Sequence, residues 1–163
     1  MVTSRRARDY WNACVFLAIV NDEQGRVDHC VNLFREASID RKTQIYTSAV
    51  TLSECANVAG TPEREEMIRQ FFTNPCLTIV NVDRLIGERS RALRRTIFQQ
   101  LGRKLAVRDS IHLATPLDPR VRAAKLLTYD GDDLIRISGM FDIEPGGKLT
   151  IAEPRWEGNL QLL

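Results

Sequence analysis

Short apolar runs alternate with amphipathic segments along the 163 residues of the chain. The apolar runs favour strands because they are brief and rich in β-branched residues, whereas apolar positions repeated every three or four residues favour helices. The pattern predicts strands at 8–11, 44–50, 77–82 and 124–128, with a further candidate near 140–144. It predicts helices at 13–20, after Gly25, from 51 to about 59, at 61–72, at 83–101 and at 109–115. Strands that alternate with helices imply parallel crossovers, so we expect an α/β fold, a three-layer sandwich in which helices flank a central, mostly parallel sheet.

Four side chains with carboxylate or amide oxygens stand where a predicted strand ends or a predicted helix begins. They are Asn12, Glu54, Asp109 and Asp130. The carboxyl ends of parallel strands meet at one edge of a sheet, so these side chains are expected to share one pocket. Like charges a few ångströms apart repel each other, and a divalent cation bound between them removes that cost. The arrangement therefore predicts a metal site.

Each of these residues also has a purely structural explanation. Glu54 closes the segment Thr51-Leu52-Ser53-Glu54, which matches a helix capping box. Asp109 suits the first turn of a helix, Asp130-Gly131 is a common turn pair, and Asn12 suits a helix cap. One such coincidence carries little weight, whereas four at the same expected edge of a sheet favour a functional site.

Composition narrows the class of protein without indicating an activity. Hydrophobic residues make up 44% and charged residues 27%, as in an ordinary soluble domain, and no apolar run reaches the roughly 18 residues that a membrane helix needs. The basic start lacks the cleavage pattern of a signal peptide, so we expect a cytoplasmic protein with no membrane partner. The four cysteines have no metal-binding spacing, and we interpret them as small buried hydrophobes.

Four segments resemble the sequence blocks of the PIN domain family and occur in the family's order across residues 8–143. They are YWNACVFL at 10–17, SAVTLSE at 48–54, DSIHLAT at 109–115 and LLTYDGDDL at 126–134. The third block is the most specific, and the ordered set is stronger than any one of its members. The resemblance implies a PIN-like domain over residues 1–145 and leaves 146–163 as a C-terminal extension without an assignment.

The resemblance also implies a function, because the PIN family consists largely of metal-dependent ribonucleases, many of them VapC-type toxins of bacterial toxin–antitoxin pairs. Carried over by position, the catalytic residues would be Asn12, Glu54, Asp109 and Asp130. Mg²⁺ or Mn²⁺ would be held by Asn12, Asp109 and Asp130, and the peripheral residues would be Thr128, Asp132 and Asp133. The implied partners are an RNA substrate, a cognate antitoxin protein and a second copy of the chain in a homodimer.

Asn12 departs from the family's pattern, which has Asp at this position. An amide oxygen is neutral, so we expect weaker metal affinity and slower turnover in a fold that is preserved. Asp9 is no substitute, because it lies at the start of the strand and points to the opposite face. Either the site tolerates Asn or the nuclease is an inactivated variant; the alternative function is a non-catalytic, degenerate PIN module that binds RNA or a protein. A phosphate-binding α/β regulator has no support, since the sequence has no glycine-rich phosphate loop.

Two further features keep alternatives open. Residues 84–104 carry seven basic residues against one acidic residue, and Arg84, Arg91 and Arg95 lie opposite the apolar stripe of their helix. That face is either an RNA-binding surface or a solvated helix face, and the expected RNA substrate favours the first. His112 shares a helix face with Asp109 and is either a contact in the site or a buried histidine with satisfied hydrogen bonds, and we favour the second.

Overall fold

The computed structural model describes residues 6–56 and 60–158. Within these ranges five parallel strands form one sheet in the order β3-β2-β1-β4-β5. The strands are β1 (Ala7–Trp11), β2 (Thr43–Ser48), β3 (Leu77–Val80), β4 (Lys125–Leu127) and β5 (Thr150–Ala152). The helices are α1 (Ala13–Val20), α2 (Val27–Asp40), α3 (Ala49–Ala56), α4 (Pro62–Thr73), α5 (Arg84–Leu101) and α6 (Val107–Ala114), with a short 3₁₀ helix at Ile135–Ile137.

Consecutive residues of the central strand β1 point into opposite layers, which builds two hydrophobic cores. Trp11 packs on the side of α1 and α4, with its ring centroid 5.4 Å from that of Phe16. Tyr10 faces the other way and lies among Ile86 of α5 and Leu113 of α6. This alternation follows from the two-residue period of a strand. The predicted three-layer α/β sandwich is confirmed.

Helix α5 has clear sequence signals at both of its ends. The carboxylate of Asp83 accepts a hydrogen bond from the backbone N–H of Ile86 at 3.1 Å, and Gly102 ends the helix in the left-handed region at a φ of 64°. Glycine adopts this conformation without the steric cost of a side chain. Despite the 18 residues of α5, no helix in the described ranges is both long and apolar enough to cross a bilayer.

The junction between β2 and α3 differs from the prediction. The strand ends at Ser48 and the helix follows at once, whereas the sequence pattern extended the strand to residue 50. Thr51 is therefore the third helical residue, and its buried hydroxyl lies 2.7 Å from that of Thr47. The capping-box interpretation of Glu54 is wrong, because Thr51 does not precede the helix. The predicted end of this helix near residue 59 lies outside the described residues.

The C-terminal part of the chain also differs from the prediction. The candidate strand at 140–144 does not form, and that region carries an isolated bridge between Asp142 and Lys148. The chain turns back on itself there: the backbone N–H of Ile143 donates to the carbonyl of Gly147 at 3.0 Å, and that of Leu149 donates to the carbonyl of Phe141 at 2.9 Å. The last strand is instead β5, which pairs in parallel with β4 and buries Ile151. The extension thus docks on the edge of the sheet, while a domain boundary at residue 145 stays a prediction.

Candidate functional site

A pocket of about 650 Å³ opens at the carboxyl edge of the sheet. Its lining includes all four residues that the strand ends predict: Asn12, Glu54, Asp109 and Asp130. Asn12 directly follows β1, and Asp130 follows β4 by three residues. Glu54 lies on α3, the helix that leaves β2, and Asp109 lies in the first turn of α6. The parallel topology therefore brings together side chains that are far apart in the sequence.

Three carboxylates in this region form a tight cluster. Asp109, Asp130 and Asp133 each offer an oxygen, and these oxygens all lie within 4.8 Å of one another. The backbone N–H of Asp133 donates to Oδ1 of Asp130 at 3.0 Å, which fixes the turn after β4. Asp133, which the sequence placed at the periphery of the site, belongs to this cluster but does not line the pocket. The cluster concentrates negative charge at the mouth of the sheet.

Asp109 is the most buried acid of the cluster, with 6% of its surface exposed. Burial raises the pKa of its carboxyl group, because a charged carboxylate loses solvation there. The nearby charge of Arg108 opposes this shift, and the charge of Asp130 adds to it. Asp109 therefore gains from any additional positive charge in the pocket.

Asn12 is held by Thr128, which the sequence placed at the periphery of the site. The amide Nδ2 of Asn12 donates to Oγ1 of Thr128 at 3.2 Å, and both side chains are buried. The backbone N–H of Asp130 donates to the same hydroxyl oxygen at 3.1 Å. These contacts engage the amide nitrogen and leave Oδ1 of Asn12 as the atom that could serve a cation.

Glu54 lies at the end of a buried hydrogen-bond chain. Its Oε2 is 2.6 Å from Nε2 of His112, whose Nδ1 is 2.6 Å from the hydroxyl of Tyr10. Burial raises the pKa of Tyr10, so the phenol stays protonated and can donate to Nδ1, which leaves Nε2–H to donate to Glu54. His112 is fully buried and satisfied, as predicted, and its partner is a residue of the site.

Arg108 is a charged residue of the pocket that the sequence reasoning missed. Its Nε lies 3.0 Å from Oε1 of Glu54 and 3.5 Å from Oδ1 of Asp109. The prediction began the helix at residue 109 and so left Arg108 in a loop, whereas α6 begins at Val107. No local pattern marks an arginine that joins acids from two different helices. Its charge offsets part of the negative charge of the pocket.

The remaining predicted residues lie outside the lining of this pocket. The side chain of Asp132 is 92% exposed and faces Arg136 at 3.8 Å. The arginines of the helix face are exposed on α5; they are Arg84, Arg91 and Arg95. None of these three arginines lines the acidic pocket, and a role of their helix face in RNA binding stays a prediction.

The donor atoms of the pocket suit a hard divalent cation. The cluster offers carboxylate oxygens, joined by the amide oxygen of Asn12, and these are the ligand atoms that Mg²⁺ and Mn²⁺ prefer. Cys14 also lines the pocket, but burial raises the pKa of its thiol and disfavours the thiolate that a soft metal needs. The residues present therefore fit magnesium or manganese better than zinc.

A parallel α/β domain with an acidic pocket at the carboxyl edge of its sheet is the class of protein that the fold and the site define. The PIN domain model matches residues 11–139. The chain therefore belongs to the PIN domain family, a family of nucleases. No curated protein matches the chain significantly.

Solved structures with the same fold come from bacterial toxin–antitoxin systems. VapBC from Salmonella typhimurium, bound to DNA, is 12% identical with a TM-score of 0.60, covering 89% of this chain and 98% of that one. VapBC2 from Rickettsia felis, bound to a promoter DNA fragment, is 15% identical with a TM-score of 0.58 and coverages of 75% and 87%. A toxin–antitoxin complex from Klebsiella pneumoniae is 22% identical with a TM-score of 0.56 and coverages of 77% and 88%. At these identities the similarity shows the fold.

Proposed function

We propose that this chain is a metal-dependent endoribonuclease that hydrolyses RNA phosphodiester bonds as the toxin of a toxin–antitoxin pair. The observation that carries the proposal is the cluster of Asp109, Asp130 and Asp133, of which the first two line the pocket together with Asn12 and Glu54. Acids held this close cost folding energy unless a cation joins them. A divalent ion bound by a nuclease would offset the repulsion between these carboxylates.

Asp109 and Asp130, with Oδ1 of Asn12, are the residues that would hold Mg²⁺ or Mn²⁺. Such an ion supplies positive charge to a phosphate and lowers the pKa of a water molecule. Glu54 is the carboxylate we assign to proton acceptance, since it lines the pocket beside the acidic cluster and is fixed by His112 and Arg108. A carboxylate has about four acceptor positions, so these two contacts leave room for a water proton.

The antitoxin partner is supported by the fold, which is shared with the VapBC complexes described above. Arg108 shows that a guanidinium fits against Glu54 and Asp109, so an arginine of a bound partner could pair with the same acids. The homodimer, the cytoplasmic location and the lack of a membrane partner remain expectations from the sequence.

A non-catalytic RNA-binding or protein-binding module is the second candidate, and Asn12 favours it. The Asn12 amide already has a buried partner in Thr128, and it supplies no negative charge to a metal. In this alternative the pocket binds but does not cut, even when the carboxylate is restored.

The decisive experiment compares the native protein with Asn12→Asp on a mixed-sequence single-stranded RNA in the presence of Mn²⁺. We expect the substitution to raise the cleavage rate by about tenfold or more, because a carboxylate strengthens the cation site; tenfold corresponds to about 1.4 kcal/mol. EDTA should abolish the cleavage. Products resolved on a sequencing gel measure both the rate and the positions of cleavage.

The matched control is the double variant Asn12→Asp, Asp109→Asn, which restores one carboxylate and removes another. It should fold and show no metal-dependent cleavage. If Asn12→Asp shows no EDTA-sensitive cleavage while it still binds RNA, the nuclease proposal fails and the non-catalytic module takes its place.

A further inference from the structure

A second cavity, of about 560 Å³, adjoins the acidic pocket. It is formed by the start of α2 and by the segment that follows β5, and the two cavities share Arg26 and Tyr129 in their linings. The C-terminal extension therefore builds a wall beside the candidate active site. A polymer that enters the acidic pocket can continue into this cavity past the same two side chains.

Arg26 and Tyr129, which line both cavities, are held in place by several contacts. The guanidinium carbon of Arg26 lies 4.3 Å from the centre of the Tyr129 ring, a cation–π arrangement. The Tyr129 hydroxyl lies 3.2 Å from Sγ of Cys30 and donates to the backbone carbonyl of Arg26 at 3.4 Å. Glu23 accepts from Arg26 at 2.9 Å. A positive charge and an aromatic face are thus fixed one residue from Asp130.

Trp156 supplies an aromatic side chain to the far wall. Its backbone N–H donates to Nδ1 of His29 at 3.1 Å, and its indole N–H donates to Glu36 at 2.7 Å. The indole also packs against Gly158, where a Cβ atom would collide with the ring. The indole is part-exposed and is held in position by these contacts.

The charges of the second cavity are balanced. Arg26 and Arg155 line it together with Glu153 and Glu157. A site for phosphate alone would carry an excess of positive charge, whereas carboxylates accept hydrogen bonds from the amino groups of bases. Together with two aromatic rings, this combination suits a nucleotide whose base is stacked and whose phosphate meets an arginine.

We propose that this cavity binds a nucleotide of single-stranded RNA next to the bond that is cleaved. The base stacks on Trp156, and Arg26, which is held over the Tyr129 ring, contacts the phosphate that lies between the two cavities. The inference rests on the proposed function, since the RNA is taken to enter the acidic pocket. It assigns substrate recognition to the C-terminal extension.

Tryptophan fluorescence provides a direct test, because Trp11 is buried with 1% of its surface exposed and Trp156 is the indole of the cavity. The native protein is titrated in EDTA with single-stranded RNAs of two to six nucleotides. We expect quenching of the emission, and a rise in affinity of about tenfold once the RNA is long enough to fill both cavities. Trp156→Phe should remove the quenching and keep the fold, as checked by circular dichroism.

Two arginine variants sharpen the test. Arg26→Gln and Arg155→Gln should each remove most of the increase in affinity that longer RNA provides. The matched control is Arg35→Gln, an exposed arginine of α2 that lines neither cavity, and it should keep that gain.

Two results would overturn the assignment. One is that no RNA quenches the emission, and the other is that affinity still rises with RNA length in both arginine variants. Quenching by a basic peptide that RNA does not displace would also overturn it, since the cavity would then be a protein-binding site. Cleavage by the Asn12→Asp protein is measured separately. If the Asn12→Asp protein cleaves RNA, and neither Arg26→Gln nor Trp156→Phe changes RNA binding, the second cavity is not a nucleotide site. The nuclease proposal is unaffected by that result.

Discussion

Two groups of acidic residues in this protein have opposite electrostatic surroundings. Asp118, in the loop after α6, has 1% of its side chain exposed and is matched by arginines: Arg120 lies 2.7 Å from one oxygen and Arg89 lies 3.1 Å from the other. Arg120 also reaches Asp83 at the start of α5, at 2.6 Å. The acidic cluster instead brings three carboxylates together, and each of its two arginines pairs with one of them: Arg108 lies 3.5 Å from Asp109, and Arg103 lies 3.0 Å from Asp133.

The directions of the pKa shifts record this difference. Hydrogen bonds from Arg120 are the main cause that lowers the pKa of Asp118, whereas burial raises the pKa of Asp109. The first group is complete within the chain and stabilises the fold. The second group gains from a further cation, as expected of a binding site. The number of acidic residues does not distinguish the two groups, whereas the number of arginine partners for each carboxylate does.

The largest effect is expected for Asp118→Asn. The substitution leaves Arg89 and Arg120 without their shared carboxylate and should lower the free energy of unfolding by about 2–3 kcal/mol. Urea denaturation measures the change. Asp132→Asn is the matched control, because that side chain is 92% exposed, and it should change stability by less than about 0.5 kcal/mol. Equal effects of the two substitutions would contradict a structural role for Asp118.

Asp109→Asn should act in the opposite direction. It removes a buried carboxylate that lies near two others, so the free energy of unfolding should stay unchanged or rise by about 1 kcal/mol. The same variant should lose the increase in melting temperature that Mn²⁺ gives the native protein. A clear loss of stability without metal would show that Asp109 is structural after all.

Acid should weaken the arginine-paired group. Pairing with Arg120 lowers the pKa of Asp83 to about 2 and also lowers that of Asp118. A carboxylate whose pKa is depressed by folding contributes stability above its unfolded pKa of about 3.9, and that contribution is lost as the pH falls through the folded value. The melting temperature should therefore drop between about pH 4 and pH 2, and the drop should be smaller in Asp118→Asn. An equal acid slope in both proteins would contradict this assignment.

The smallest effect concerns the arginine face of α5. Replacing Arg84, Arg91 and Arg95 with Gln should reduce the salt dependence of RNA binding by up to about 2 units of slope, since each phosphate contact on a single strand contributes about 0.7. Fluorescence anisotropy at several salt concentrations measures the slope. The control changes the same number of exposed arginines on α2 and α4, namely Arg35, Arg64 and Arg69. If both variants show the same salt dependence, the arginines of α5 form a solvated helix face that does not bind RNA.

The sequence predicts the sheet and the meeting of Asn12, Glu54, Asp109 and Asp130 because both follow from strand order. It could not predict the contacts that depend on where each helix starts. Arg108 enters the pocket only because α6 begins at Val107.

Very short strands and contacts between residues far apart in the chain could not be predicted from the sequence for other physical reasons. Strand β5 has three residues, too few for a two-residue period to be visible. The Asp83–Arg120 pair joins residues 37 positions apart with no pattern between them. The cavity beside Trp156 also depends on how the extension docks.

The central claim is that the acids at the carboxyl edge of the sheet bind a divalent cation. Crystals of the native protein soaked in Mn²⁺ and measured near the manganese absorption edge test it most directly. We expect an anomalous peak within about 2–2.5 Å of carboxylate oxygens of both Asp109 and Asp130, and no such peak in Asp109→Asn. A map without a peak among these residues, or with its manganese bound only at other acids of the surface, would show that these acids do not form a cation site.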